Sequence, residues 1–170
     1  MYLQMNKKED FFSFINTPKG KMFLNVMESN GNKLNTIHAH LIFEELLTEY
    51  LLKIFPLNNG IENAKLQFHQ KLTLIYSLRN NQLSNQLYGM LKKLNKIRNK
   101  YAHSLDPSDV ESLENELILS VPKIMFPEKT LSLIGNKKVP LPYTYSEKYV
   151  IALRWIFSEL IIIRVDQAHS

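Results

Sequence analysis

The chain has 170 residues, 45% of them hydrophobic, so it is the size of one domain and can bury a substantial core. It contains no cysteine, which excludes disulfides, thiolate metal sites and thiol redox chemistry. The first residues lack a cleavable signal pattern, and no apolar run approaches the roughly 20 residues needed to span a bilayer, so we expect a cytoplasmic protein without a membrane partner.

Apolar periodicity predicts two short helices within residues 8–28, joined by a turn at residues 16–20. After a break at residues 29–33, a long helix over residues 34–55 is apolar on nearly all sides. A helix of that kind is packed on most of its circumference, so we expect it at the centre of a bundle or between the bundle and a second subunit.

Two polar residues of the 34–55 helix, His40 and Glu44, point with its apolar side chains, so each needs a partner. Arg98 is the first candidate for pairing with Glu44. Glu45 remains the alternative, because the two glutamates differ by less than the uncertainty in the rotation of the helix.

Residues 62–78 are predicted as a third core helix, and Asn80 and Asn81 mark the turn after it. A further helix follows, with one apolar stripe formed by Leu83, Leu87, Met90, Leu91, Leu94, Ile97 and Tyr101.

Beyond this stripe, residues 110–121 are predicted as a helix that Asp106 or Ser108 can cap. Four prolines then predict an irregular insertion over residues 122–143 that contains a small hairpin. Residues 145–166 form the last predicted helix, whose apolar faces favour docking on the core or in a dimer.

Arg98 occupies an unusual position, inside the apolar stripe between the directions of Leu91 and Leu94. A guanidinium there must be paired or must face a polar cleft. Four residues separate Arg98 from His103, which places them roughly 140° apart on an unbroken helix. The two converge only if the helix ends or distorts near Ala102, or if the arginine side chain curls around the helix.

Charge is segregated around this helix. The formal net charge is +5, and between Asn63 and Leu105 there are eight Lys or Arg residues and no Asp or Glu. Such a field attracts a phosphate backbone. Lysines on an exposed helix face are also commonly only solvated, so both interpretations stand.

Metal chemistry finds little support. His38 and His40 lie two apart on a helix and cannot face one ion, and no HExxH pattern or carboxylate cluster follows them. The five glycines form no phosphate-cradling loop. We therefore predict no metal site and no cofactor.

The residues Arg98, Asn99 and His103 match the arginine, polar residue and spaced histidine of HEPN domains. The segments KLTLIYSL and KIRNKYAH resemble most the branch that contains mannitol-operon-repressor-like proteins. Residues 34–120 carry the resemblance. It implies an all-α, up-and-down helical bundle that dimerises, with residues 1–170 as a single domain and residues 34–120 as its core.

The resemblance also implies an activity, metal-independent RNA endonuclease, in a toxin or defence setting. In this scheme two motifs meet across a homodimer interface and leave 2′,3′-cyclic phosphate ends. Its partners would be a second copy, RNA, and an antitoxin or regulatory protein. The alternative is a non-catalytic HEPN scaffold or regulatory protein, and a third reading is a nucleic-acid binder that uses the basic face without cleaving.

The residue types suit this chemistry. His103 can move protons near neutral pH, and the Arg98 fork can stabilise charge on phosphate oxygens. Asn99 could contact substrate or fix the His103 tautomer, and with one such histidine per chain, acid and base roles require two subunits. Each of these residues also has a structural explanation that involves no RNA. Arg98 can be an ion-pair partner, His103 can cap the helix end, and the lysines can be solvated. The candidate set is Arg98, Asn99 and His103 as catalytic residues, Glu44 and Glu45 as supporting residues, and Lys92, Lys96 and Lys100 as RNA-binding residues.

Overall fold

The fold is an all-α bundle with a small two-stranded hairpin, as predicted. A computed structural model describes residues 15–29, 31–55, 58–78, 83–103, 108–126, 129–132 and 138–166. Its α-helices are α1 (Pro18–Ser29), α2 (Asn32–Ile54), α3 (Asn58–Asn63), α4 (Phe68–Tyr76), α5 (Asn85–His103), α6 (Ser108–Leu119) and α7 (Tyr145–Asp166). The hairpin strands are β1 (Lys129–Ser132) and β2 (Lys138–Leu141), and a 3-10 turn spans Lys123–Met125.

Helix α2 lies at the centre of the bundle, because α1, α4, α5 and α7 all pack against it. Its Ala39, Phe43 and Leu51 are fully buried. The central position was one of the two predicted from its apolar circumference. Only a narrow side remains open, where Leu34 and Leu41 are exposed.

The prediction of one helix over residues 62–78 is wrong, since the chain breaks between α3 and α4. Lys65 adopts a left-handed backbone conformation with φ of 46°, which stops a right-handed helix. The new helix starts at Phe68, after its N-cap Gln67, whose N–H donates to Gln70 Oε1 at 2.8 Å in a capping box. Apolar spacing alone does not show this break, which turns the first residues of α4 towards α5.

Helix α5 runs unbroken from Asn85 to His103, so it ends one residue after Ala102, and His103 is its last residue. Its apolar stripe packs against α2, α4, α6 and α7. The fully buried residues of the stripe are Leu87, Met90, Leu91, Leu94 and Ile97. Ser108 is the first residue of α6, and the other predicted cap, Asp106, lies outside the described residues, as do residues 8–14 and the turn at Asn80 and Asn81.

The predicted hairpin is present in the insertion as an antiparallel pair, with Lys129 opposite Leu141. Helix α7 then returns to the core, where Phe157 stacks on Phe23 with ring centroids 4.0 Å apart. Within the described part of the chain, no helix combines the length and the hydropathy that a membrane span requires.

Candidate functional site

The Arg98 side chain is half-buried on the core-facing side of α5, as the sequence predicts. Its Nη1 donates a hydrogen bond to Asn99 Oδ1 at 3.2 Å. Among the described residues, no carboxylate forms an ion pair with it. The guanidinium therefore bends towards the side of α5 that carries Asn99 and keeps donors free for an anion.

Glu44 pairs with a different cation from the one predicted. Its Oε1 lies 2.9 Å from Lys71 Nζ on α4, so the predicted ion pair with Arg98 is wrong. The break before α4 explains the difference, since it sets a lysine of α4 opposite this part of α2. Glu45, the alternative, is exposed to solvent.

The second polar residue predicted to need a partner, His40, is 5% exposed and has one. Its Nε2 lies 2.9 Å from Asn95 Oδ1 on α5. Because an amide oxygen only accepts, Nε2 carries the proton, and Nδ1 faces Glu44 Oε2 at 3.9 Å. The ring also stacks on Phe68 at 4.2 Å between centroids.

Burial lowers the pKa of His40 below its usual value, and the positive charges of Arg98 and Lys71 lower it further. The hydrogen bond that His40 donates to Asn95 and the charge of Glu44 act in the opposite direction but are outweighed. His40 is therefore a neutral imidazole that holds the Asn95 amide in one orientation.

These side chains surround a cavity of about 320 Å³, here called the Arg98 pocket. Its volume lies at the lower end of the range for small-molecule sites. Three helices contribute to it, and the exposed His69 stands at its edge. The lining residues are His40, Glu44, Gln67, Phe68, His69, Asn95, Arg98 and Asn99.

His103 lies in a different depression, an open groove of about 700 Å³ between α5 and α6. This His103 groove is lined by Lys96, Asn99, Lys100, His103 and Leu113. Of its predicted RNA-binding lysines, Lys96 is exposed, whereas Lys100 forms an ion pair with Asp109 at 2.5 Å. Lys92, one turn before Lys96, lies over the ring of Tyr88, 5.3 Å from its centroid.

Asn99 is the residue that the Arg98 pocket and the His103 groove share. On the unbroken helix the backbone directions of Arg98 and His103 differ by roughly 140°. The Arg98 side chain reaches Asn99, but no described contact joins Arg98 to His103, and the two residues line different depressions. His103 follows Asn99 by one helical turn, so the three residues form a row across two adjoining depressions.

A buried carboxylate fixes the helix turn that bears this row. Glu114 on α6 is 2% exposed and accepts hydrogen bonds from Tyr101 at 2.5 Å, Tyr145 at 2.9 Å and Asn32 at 2.9 Å. Burial raises the pKa of Tyr101 and of Tyr145 above the usual range, and their bonds to Glu114 raise both further. This Glu114 cluster joins the last turn of α5 to the beginnings of α2 and α7.

Sequence reasoning missed three features of the site. It did not pair His40 with Asn95, and it did not connect His69 with Arg98. It also missed Glu114, although a signal was present: Val110, Glu114 and Leu117 recur at core spacing on α6. A carboxylate at a core position is one that the fold must satisfy.

No group of three or more His, Asp or Glu side chains that could hold a metal ion occurs within the described ranges. Comparison of the chain with models of protein families, with curated proteins and with solved structures finds no significant match.

Proposed function

We propose that this chain is a metal-independent RNA endonuclease of the HEPN type that acts as a homodimer. The observation that carries the proposal is the state of Arg98. Its guanidinium is half-buried and has no acidic partner among the described residues, and it is turned towards Asn99, one turn before His103. A guanidinium held in this way is suited to a phosphate oxygen.

The chemistry divides between the residues of the row. The attacking 2′-hydroxyl loses a proton and the leaving 5′-oxygen gains one, and an imidazole can perform either transfer. Arg98 stabilises the charge that builds on the phosphoryl oxygens. His103 is the one histidine among the described residues that line its groove, so the second proton transfer would come from His103 of a second copy. Lys96 would attract the RNA strand.

The test is cleavage of end-labelled RNA by the purified chain in EDTA. Wild type should release fragments that end in a 2′,3′-cyclic phosphate, and His103→Ala and Arg98→Gln should each lose at least about a hundredfold in rate. The control is Lys148→Gln, which removes one positive charge from an exposed position on α7 and should cleave normally.

Far-ultraviolet circular dichroism should show the same helix content in all four proteins. Sedimentation should give a dimer, and the specific activity should fall when the protein is diluted below the dimer dissociation constant. Cleavage that survives His103→Ala at the wild-type rate would overturn the proposal.

One observation favours the non-catalytic scaffold or regulatory protein as a second candidate. His103 is exposed, and no hydrogen bond from a described residue orients its ring. A scaffold would neither bind nor cut RNA in the same assay. Binding that weakens steeply with salt, without cleavage, would indicate a nucleic-acid binder.

A further inference from the structure

The Arg98 pocket contains groups that the proposed cleavage scheme does not use. His40 and Asn95 form a hydrogen-bonded pair at 2.9 Å inside it, and His69 stands at its edge. Among the described lining residues Glu44 is the one carboxylate, and Lys71 neutralises it at 2.9 Å.

The charge balance of the pocket is therefore positive. With Glu44 and Lys71 paired, the charge of Arg98 remains without a counter-charge among the described residues. The neutral state of His40 agrees with this balance, because protonation would add a second positive charge beside Arg98. A small polar cavity of this sign is suited to an anion.

The donors in the pocket are already oriented. Asn95 Oδ1 faces His40, which leaves the amide NH2 of Asn95 for another partner, and Asn95 lines the cavity. Asn99 Oδ1 accepts a hydrogen bond from Arg98 Nη1, and the other N–H groups of the guanidinium remain available. His69 is the second residue of α4, where the positive end of the nine-residue helix adds to the same field.

We infer that the Arg98 pocket binds one phosphate group, held by the Arg98 guanidinium, the Asn95 amide and the His69 ring of a single chain. His40 acts here as a positioning residue, since it fixes the Asn95 amide without contacting the phosphate. That the phosphate belongs to an RNA strand rests on the proposed function. The bound phosphate would then be the one whose oxygens Arg98 stabilises during cleavage, and the shared residue Asn99 would place it beside the His103 groove.

The experiment measures binding, not cleavage. Inorganic phosphate, a nucleoside 3′-monophosphate and a 2′-O-methyl RNA octamer, which lacks the attacking hydroxyl, are each titrated into the full chain in EDTA. Isothermal calorimetry gives affinities, and ring signals in ¹⁵N-histidine NMR spectra report the site. We expect saturable binding of all three, tightest for the octamer, with changes at the His69 and His40 rings and none at His38. The ¹⁵N shifts of His40 should show the tautomer protonated at Nε2.

Three variants test the donors. Arg98→Gln and His69→Asn should each weaken binding by about tenfold or more, because each removes a donor to a charged group. Asn95→Asp keeps the acceptor for His40 but replaces the NH2 with an anionic oxygen, so binding should be lost while the His40 tautomer is retained. Lys21→Gln, on α1 and away from the pocket, is the charge-matched control.

Unchanged affinity in Arg98→Gln, His69→Asn and Asn95→Asp would overturn the inference, as would titrations that leave the His69 ring unaffected. Equal affinity for inorganic phosphate and the octamer would overturn the assignment to RNA. Pocket-dependent phosphate binding without RNA cleavage would leave this inference standing and remove the nuclease. Cleavage without pocket-dependent binding would do the reverse.

Discussion

Glu114→Gln removes the charge from the Glu114 cluster while preserving the shape of the side chain. The carboxylate accepts three hydrogen bonds, and it is 2% exposed. Each bond to a charged acceptor contributes about 1.5–3 kcal/mol. The glutamine amide keeps one acceptor oxygen and turns an NH2 group towards donors, so one or two of the three bonds are lost.

Two effects reduce that cost. Removing a buried charge recovers part of its desolvation penalty, and Tyr101 and Tyr145 are only half-buried, so water can replace part of each bond. We therefore expect the free energy of unfolding to fall by about 2–3 kcal/mol, a large part of the stability of a domain this size.

Urea unfolding can be followed through Trp155, the only tryptophan, which is 7% exposed. The midpoint should fall with an unchanged slope against urea concentration. The matched control is Glu116→Gln, which removes an exposed carboxylate 3.2 Å from Lys93 and should cost about 0.5 kcal/mol or less. A double-mutant cycle with Tyr101→Phe should show a coupling of about 1–2 kcal/mol.

The reasoning would be refuted if Glu114→Gln and Glu116→Gln unfolded at the same urea concentration. The buried carboxylate would then contribute no more to stability than an exposed one. Strict additivity in the cycle would refute the bond to Tyr101 in particular.

Other predictions concern stability. Burial lowers the pKa of His40 below its usual 6.5, so the unfolded chain takes up a proton first as the pH falls. The free energy of unfolding should therefore decline as the pH drops from about 6.5 through the folded-state value, and His40→Gln should flatten that slope in urea titrations. Lys65→Gly should raise the thermal midpoint, since it removes left-handed strain of about 1 kcal/mol, whereas Lys65→Ala should not. In urea titrations, Tyr149→Phe should lower the free energy of unfolding by about 1 kcal/mol, because Thr36 keeps its hydrogen bond to a backbone carbonyl. Thr36→Val should lower it more, because it leaves the buried Tyr149 hydroxyl without this hydrogen-bond partner.

The sequence predicts the scaffold well where apolar residues recur at helical spacing along a whole segment. The stripe of α5 identified both the helix and the unusual position of Arg98, and both are observed. The all-apolar character of α2 similarly indicated its central place.

Pairings across helices were harder to predict. The partner of Glu44 depends on where Lys71 lies, and that depends on the break at Lys65, which apolar spacing does not reveal. The Arg98 pocket has the same origin, because His69 faces α5 only after α4 starts anew. The left-handed conformation of Lys65 thus determines that Glu44 pairs with Lys71.

The Glu114 cluster also constrains how this sequence can diverge. Positions 32, 101, 114 and 145 lie on four helices, and changing one alone removes at least one hydrogen bond from the polar groups that remain. Replacing the carboxylate and its donors together by apolar side chains of similar shape can be nearly neutral. In proteins that descend from a common ancestor with this chain, these positions should covary, and each should be retained or substituted with the others.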